Sequence, residues 1–317
     1  MNAPPSASTT ARGAADGLAD ATAAAEIGQL QRGRSSNPFV LALRRTWRMR
    51  MGKFGVIVVA LLVFTAVAAP VLAPHDPAEQ FRGEELVKPS LKYLLGTDQL
   101  GRDLLSRVIY GSRASLIAGV LAVSLGSVIG VSTGLVAGYY GGLADTLIMR
   151  VYDGLLTFPA ILLAIAVITA MGPSLFNVAI AIGISQAPLK ARLTRSIVLS
   201  LRERDYVLAA RCSGASGRRM MVVHILPNTL PLLLVQFALS MGFAVLAEGG
   251  LSFLGLGTQP PTPSWGGMLN DSRAFLRDQP WYGFAPGLVL AILLIGLNFL
   301  ADALRDALDP HRINAIG

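Results

Sequence analysis

Residues 201–228, LRERDYVLAARCSGASGRRMMVVHILPN, form a basic, glycine-punctuated segment set between two long apolar runs. These residue types predict a structured loop on a membrane protein. Asp205 is a good N-cap type and Gly214 readily takes the left-handed conformation that ends helices, so a short amphipathic helix is expected between them. Ala209 and Ala210 give that helix a nearly flat face. Gly217 breaks the chain again, and a second helical pattern from Arg218 is expected to run up to Pro227, whose ring is tolerated at a helix start but not inside one. Such a segment is a rigid plug for another protein, not a tether.

Working outward, the composition places the chain in lipid: 53% of its residues are hydrophobic, 15% are charged, and the mean hydropathy is +0.55, outside the range of ordinary soluble domains. Uncharged runs occur at 54–73, 114–144, 154–189, 220–247 and 279–301, and a spanning helix needs roughly 20 apolar residues. The third run is too long for one span. Gly172-Pro173 divides it, with the helix before the division starting near Asp145. An all-α membrane protein of six transmembrane helices is therefore expected. Its parts are a disordered cytoplasmic tail at 1–36, rich in Ala, Ser, Gly and Thr, and a membrane domain at 37–317. That domain has outer loops at 74–113 and 254–280 and the docking loop at 196–228. The tail has no apolar h-region and does not read as a cleavable signal.

Orientation follows from the basic residues. Arg44, Arg45, Arg48, Arg50 and Lys53 precede the first span, and Lys190, Arg192, Arg195, Arg202, Arg204, Arg211, Arg218 and Arg219 crowd between the fourth and fifth. The positive-inside rule puts both termini and the docking loop in the cytoplasm. The net charge of +8 thus reports orientation, not nucleic acid. Cys212 is the sole cysteine, which excludes an internal disulfide framework.

Within the second span, Ala114, Ala118, Ala122, Gly126, Gly130, Gly134 and Gly138 place a small residue at every fourth position. Small residues let helix backbones approach closely in lipid, either as simple close packing or as a scaffold that rocks as a unit. A period of four overshoots 3.6, so the stripe winds about the helix and is expected to meet more than one neighbour. No ionisable residue is expected near the middle of any span, unlike ion-coupled carriers. The sequence has no GxxxxGK[ST], and its three histidines are dispersed, so neither a nucleotide site nor a metal or hydrolytic centre is expected. The chain is read as a non-enzyme without a cofactor of its own. If it drives anything uphill, another chain hydrolyses the nucleotide.

The docking loop resembles the EAA motif of ATP-binding-cassette importer permeases, through Ala209, Ala210, Gly214, Leu226 and Pro227. Leu208 stands where that pattern has Glu, and His224 where many members carry Ile; Asp205 and Arg211 flank the same helix and are the candidates to replace the missing charge. The stretches LGTDQLGRDLLSRVIYGSRASL (95–116), LSFLGLGTQPPTPSWGGML (251–269), PAEQFR (77–82) and DALRDALDP (302–310) closely resemble the C-type subunit of the dipeptide and oligopeptide permease family, over roughly residues 40–312. The resemblance implies the type I importer permease fold, with the helix in this loop as the coupling helix. The implied partners are a homologous second permease, two ATPase subunits carrying ATP and Mg, and an extracytoplasmic peptide-binding protein. Dipeptides lead as substrate; oligopeptides, glutathione, nickel and haem are carried by the same scaffold. The rival class is a stand-alone carrier or channel.

Three further features admit two readings each. Asp98, Arg102, Asp103, Arg107 and Arg113 alternate in sign over a short stretch, as a self-paired cap lying on the membrane surface or as a contact for the binding protein. Glu248, near the outer end of the fifth span, either holds a peptide ammonium group or pairs with a nearby Arg. Arg150 and Asp153, three apart, are placed to pair on one helix face. In the outer loop at 259–265, Trp265 is expected at the membrane interface as part of a rigid rim.

Overall fold

The computed structural model describes residues 44–308; the expected tail at 1–36 and the Asp309-Pro310 end of the last motif lie outside the described residues. From Thr46 on, the described chain is a single helical unit. Besides a single turn at Ala69–Leu72, the main helices are α1 (Arg50–Val67), α2 (Leu104–Tyr140), α3 (Gly142–Leu156), α4 (Ala160–Met171), α5 (Leu175–Leu201), α6 (Asp205–Cys212), α7 (Gly217–Phe253), α8 (Trp265–Ser272) and α9 (Pro280–Leu308).

Four of these, α1, α2, α7 and α9, are long and apolar enough to cross a membrane, and α3 with α4 adds a fifth candidate as a pair bent by 91°. The apolar count therefore falls short of the expected six, for two physical reasons. The helix expected to begin near Asp145 does not run to Gly172, because Pro159 forces Phe158 out of the helical conformation and breaks the run at 157–159. In α5 the 27-residue length, about 40 Å at 1.5 Å per residue, is sufficient, but Asn177, Gln186, Lys190, Arg192 and Arg195 interrupt its apolar character.

The small-residue stripe of α2 sets the centre of the bundle. A Cβ added at Gly126 would lie 2.7 Å from the Gly183 carbonyl oxygen, at Gly130 2.6 Å from that of Ala187, and at Gly134 2.5 Å from that of Ala191. At Gly138 it would meet the Val198 side chain at 2.7 Å. From Gly126 to Gly138 the stripe thus lies against one partner, α5. A stripe that winds about its own axis stays on one neighbour when the two helices wrap together, the close-approach geometry of small-residue motifs. Gly119, off the stripe, faces Met241 and Val245 of α7. The largest apolar core joins α1, α2, α4, α5, α7 and α9 through residues such as Val123, Ile168, Ile182, Val245 and Leu293.

Pro227 stands in the first turn of the α-helical stretch Leu226–Phe253 of α7, a position that its ring tolerates. Residues Met220–Ile225 form a π-helical turn, which widens the ladder ahead of Pro227 and lets α7 run on through it, and Asn228 Nδ2 donates to the His224 carbonyl at 2.7 Å. The second helical pattern thus joins the Leu226–Phe253 stretch through a π-helical turn instead of ending before it.

Candidate functional site

The loop after α5 is built around one anchor. Val207 is 3% exposed and packs with Leu135, Val198, Met220 and Ile225, so α6 is pinned to the ends of α2, α5 and α7 by its one fully buried side chain. Asp205 is not the N-cap: Arg204 holds that position without a side-chain cap, and Asp205 is the first helical residue, where its charge still complements the positive helix end. At the other end Gly214 (φ +80) donates to the Arg211 carbonyl at 3.0 Å and Ala215 to that of Ala210 at 3.2 Å, the paired closing bonds of a Schellman motif. Ala210 and Ala215 complete it by packing against the Val207 cluster.

This closure leaves Asp205, Tyr206, Leu208, Ala209, Arg211 and Gly214 exposed. Leu208, where the resembling motif has Glu, is 40% exposed, and Arg211 lies 6.0 Å over the Tyr139 ring. Leu226 packs on the inner side of the loop and Pro227 is exposed. The expected set therefore divides: Ala210 and Leu226 hold the loop, while the others form its outer face. Val207, the anchor, was not among the expected residues. Its signal in the sequence is a β-branched apolar residue three positions before Ala210, on the same helix face.

At the opposite end of α2, Asp103 caps the helix, accepting from Ser106 N at 2.9 Å and Ser106 Oγ at 2.6 Å. The stretch from Leu104 is thus the start of α2, not a separate surface helix. Asp98, Arg102, Asp103 and Arg107 are all buried. Arg102 Nε donates to Asp98 Oδ2 at 2.6 Å, Arg107 Nε lies 3.4 Å from the same oxygen, and Arg107 Nη1 donates to the Pro77 carbonyl at 3.1 Å. These four hold the outer loop together; Arg113 alone of the five is exposed, beside the Tyr110 ring. Burial pushes the neighbouring Asp271 carboxyl up, against the pull of Arg107 and Arg102. On the loop's rim, hydrogen bonds from Lys92 and Tyr93 hold the Glu84 carboxyl below its ordinary value.

Trp265 is wholly buried rather than at the interface. Its Nε1–H donates to the Val108 carbonyl at 2.9 Å, and its ring fills the space that Gly111 leaves open. Glu248 is also buried, and its partner is Ser252, whose hydroxyl donates to Oε1 at 2.7 Å, instead of an arginine. Asp153 pairs with Arg192 of α5 rather than Arg150, and Asp145 with Arg195 at 2.6 Å, so two ion pairs join α3 to α5.

One expectation is overturned outright. Lys190, read as part of a cytoplasmic flank, is 2% exposed inside the bundle, its Nζ donating at 2.9 Å to the Val123 carbonyl and at 2.9 Å to Ser127 Oγ, beside the middle of α2. The helices do contain a buried ionisable residue.

Residues 126–314 match the family described as the binding-protein-dependent transport system inner membrane component. The chain belongs to that family of transport permeases. Residues 37–89 also match the N-terminal transmembrane domain of oligopeptide transport permease C. The permease is 42% identical over 274 residues to a dipeptide transport system permease protein DppC of Alkalihalophilus pseudofirmus, covering 86% of this chain and 90% of that one. It is 45% identical over 267 residues to a di/tripeptide permease DppC of Pseudomonas aeruginosa (82% and 88% covered). It is 44% identical over 268 residues to a glutathione transport permease GsiD of Escherichia coli (84% and 88%). Its fold is similar to a chain of the MetNI methionine ABC transporter in an inward-facing conformation. There the TM-score is 0.51 at 18% identity, with 64% of this chain and 97% of that one covered. The permease is thus a multi-pass inner-membrane transport component and not itself a catalytic enzyme.

Proposed function

We propose that this permease is one half of the membrane path of an ATP-driven peptide importer, with dipeptides as the leading substrate. In this reading it pairs with a homologous second permease. Two ATPase subunits that carry ATP and Mg dock on the outer face of α6, and an extracytoplasmic binding protein delivers peptide at the end capped by residues 74–103. Six spans, counting α5 and the bent α3–α4 pair, put both termini and α6 in the cytoplasm.

The observation that carries the reading is α6 itself: a two-turn helix closed by Gly214, pinned by Val207, with Tyr206, Leu208, Ala209 and Arg211 on its exposed outer face. Such a rigid knob transmits a push to α2, α5 and α7 without absorbing it, so closure of the ATPases would switch the bundle between discrete packings. Arg113, the exposed member of the outer set, is the candidate binding-protein contact. The test is co-expression with the two ATPases and second permease, followed by reconstitution with the binding protein. ATP-dependent dipeptide uptake supports the reading; uptake that needs no nucleotide would favour a stand-alone carrier.

A further inference from the structure

Lys190 is a cation without an anion. Among the described residues no carboxylate lies within ion-pair distance, and its two hydrogen bonds go to a backbone carbonyl and a serine hydroxyl. An ammonium group has three protons, so one donor is uncommitted. One turn away, Gln186 Nε2 is buried with no hydrogen-bond partner. Both side chains line a cavity of about 170 Å³ between α5 and α7, and Lys190 also lines a second of about 310 Å³ against α2 and α7; Gln236 borders both. Neither donor is there by slack packing. A Cβ at Gly130 would lie 2.7 Å from Lys190 Cβ and one at Gly126 3.5 Å from Gln186 Cβ, so the glycine stripe fixes both stems. Unsatisfied donors and an uncompensated cation are costly in a low-dielectric interior, and such groups mark places where something else binds.

We infer that Lys190 and Gln186 form a carboxylate-binding subsite in the membrane-embedded part of the path, which receives the C-terminal carboxylate of a passing peptide. The inference rests on the peptide-import reading above. A carboxylate presents two acceptor oxygens, matching the free ammonium proton and the unpartnered amide donor. Glu248 belongs elsewhere: it faces Ser115, eight residues and about 12 Å along α2 from Val123, whereas a dipeptide spans at most about 7 Å. A dipeptide held at Lys190 leaves its amino group to the cavity rather than to Glu248. The subsite therefore selects for a free C-terminus and not for side chain.

The test uses the intact complex in nanodiscs, without binding protein, and two probes: radiolabelled dialanine and its C-terminal amide. The wild-type complex should bind the acid at least tenfold more tightly than the amide. Lys190→Gln should lower acid affinity about tenfold and erase the difference, while Lys190→Arg should retain it. Gln186→Leu, which leaves the lysine in place, should reduce the preference two- to fivefold and provides the reading if Lys190→Gln fails to assemble. Equal binding of acid and amide by the wild type overturns the inference, as does an unaltered preference in Lys190→Gln or, where that variant does not assemble, in Gln186→Leu. Uptake assayed separately with the binding protein keeps the two claims apart. A complex that imports peptides but shows no acid preference loses only the subsite; one that imports no peptide loses the function.

Discussion

Gly130 shows how much one missing side chain decides. With 2.6 Å to the Ala187 carbonyl oxygen and 2.7 Å to Lys190 Cβ, even a methyl group forces α2 and α5 apart. Gly130→Ala should lower stability in detergent by roughly 1–3 kcal/mol, the range for overpacking, while Val120→Ala, at an exposed site on the same helix, should be near neutral. Equal melting temperatures would mean that the stripe is incidental. Leu135, off the stripe, belongs to the buried cluster that holds α6, so Leu135→Ala should also destabilise. In the outer loop, Asp98→Ala would strand two buried arginines and should cost about 3–5 kcal/mol, whereas Arg113→Ala should stay within about 0.5 kcal/mol. Thermal unfolding of the two variants separates a loop held by Asp98 from one that is not. The stripe and the charge alternation were both legible in the sequence. The burial of Lys190 was not, because in a linear reading it continues the basic run with Arg192 and Arg195, and only the helix register turns it inward.

At the scale of elements, the extent of α6 was legible in the sequence and that of its neighbours less so. Gly214 and the residues 205–212 gave the helix because local capping chemistry acts within a few residues. The bend at Pro159 and the π-turn at Met220–Ile225 were missed for a different reason: proline forbids a regular ladder, but packing decides whether the chain breaks or bulges. If Val207 is the anchor, then Val207→Asp should free α6 and unfold the backbone around Arg202, Arg204 and Arg211, speeding tryptic cleavage there while the spans stay folded. Leu208→Asp, on the exposed face, should leave the cleavage rate as in the wild type. Equal proteolysis of the two variants would argue that α6 is held by something other than this side chain.

For the whole molecule, α2 is the element that joins the two ends of the described bundle. One end is capped by Asp103 and the Asp98 cluster, the other is held by Leu135 against the loop that carries α6, and the glycine stripe welds α2 to α5 between them. In the proposed reading, a push on α6 should therefore reach Lys190 as a rigid displacement. The most direct measurement is binding-protein-stimulated ATP hydrolysis and dipeptide uptake, recorded together on reconstituted complexes with wild-type or Gly214→Val permease. Val takes the left-handed conformation poorly, so the variant loses the closed end of α6 without touching the spans. The expected result is a joint fall of at least tenfold in uptake and stimulated hydrolysis with all subunits still co-purifying. Wild-type uptake by an assembled Gly214→Val complex would contradict the account.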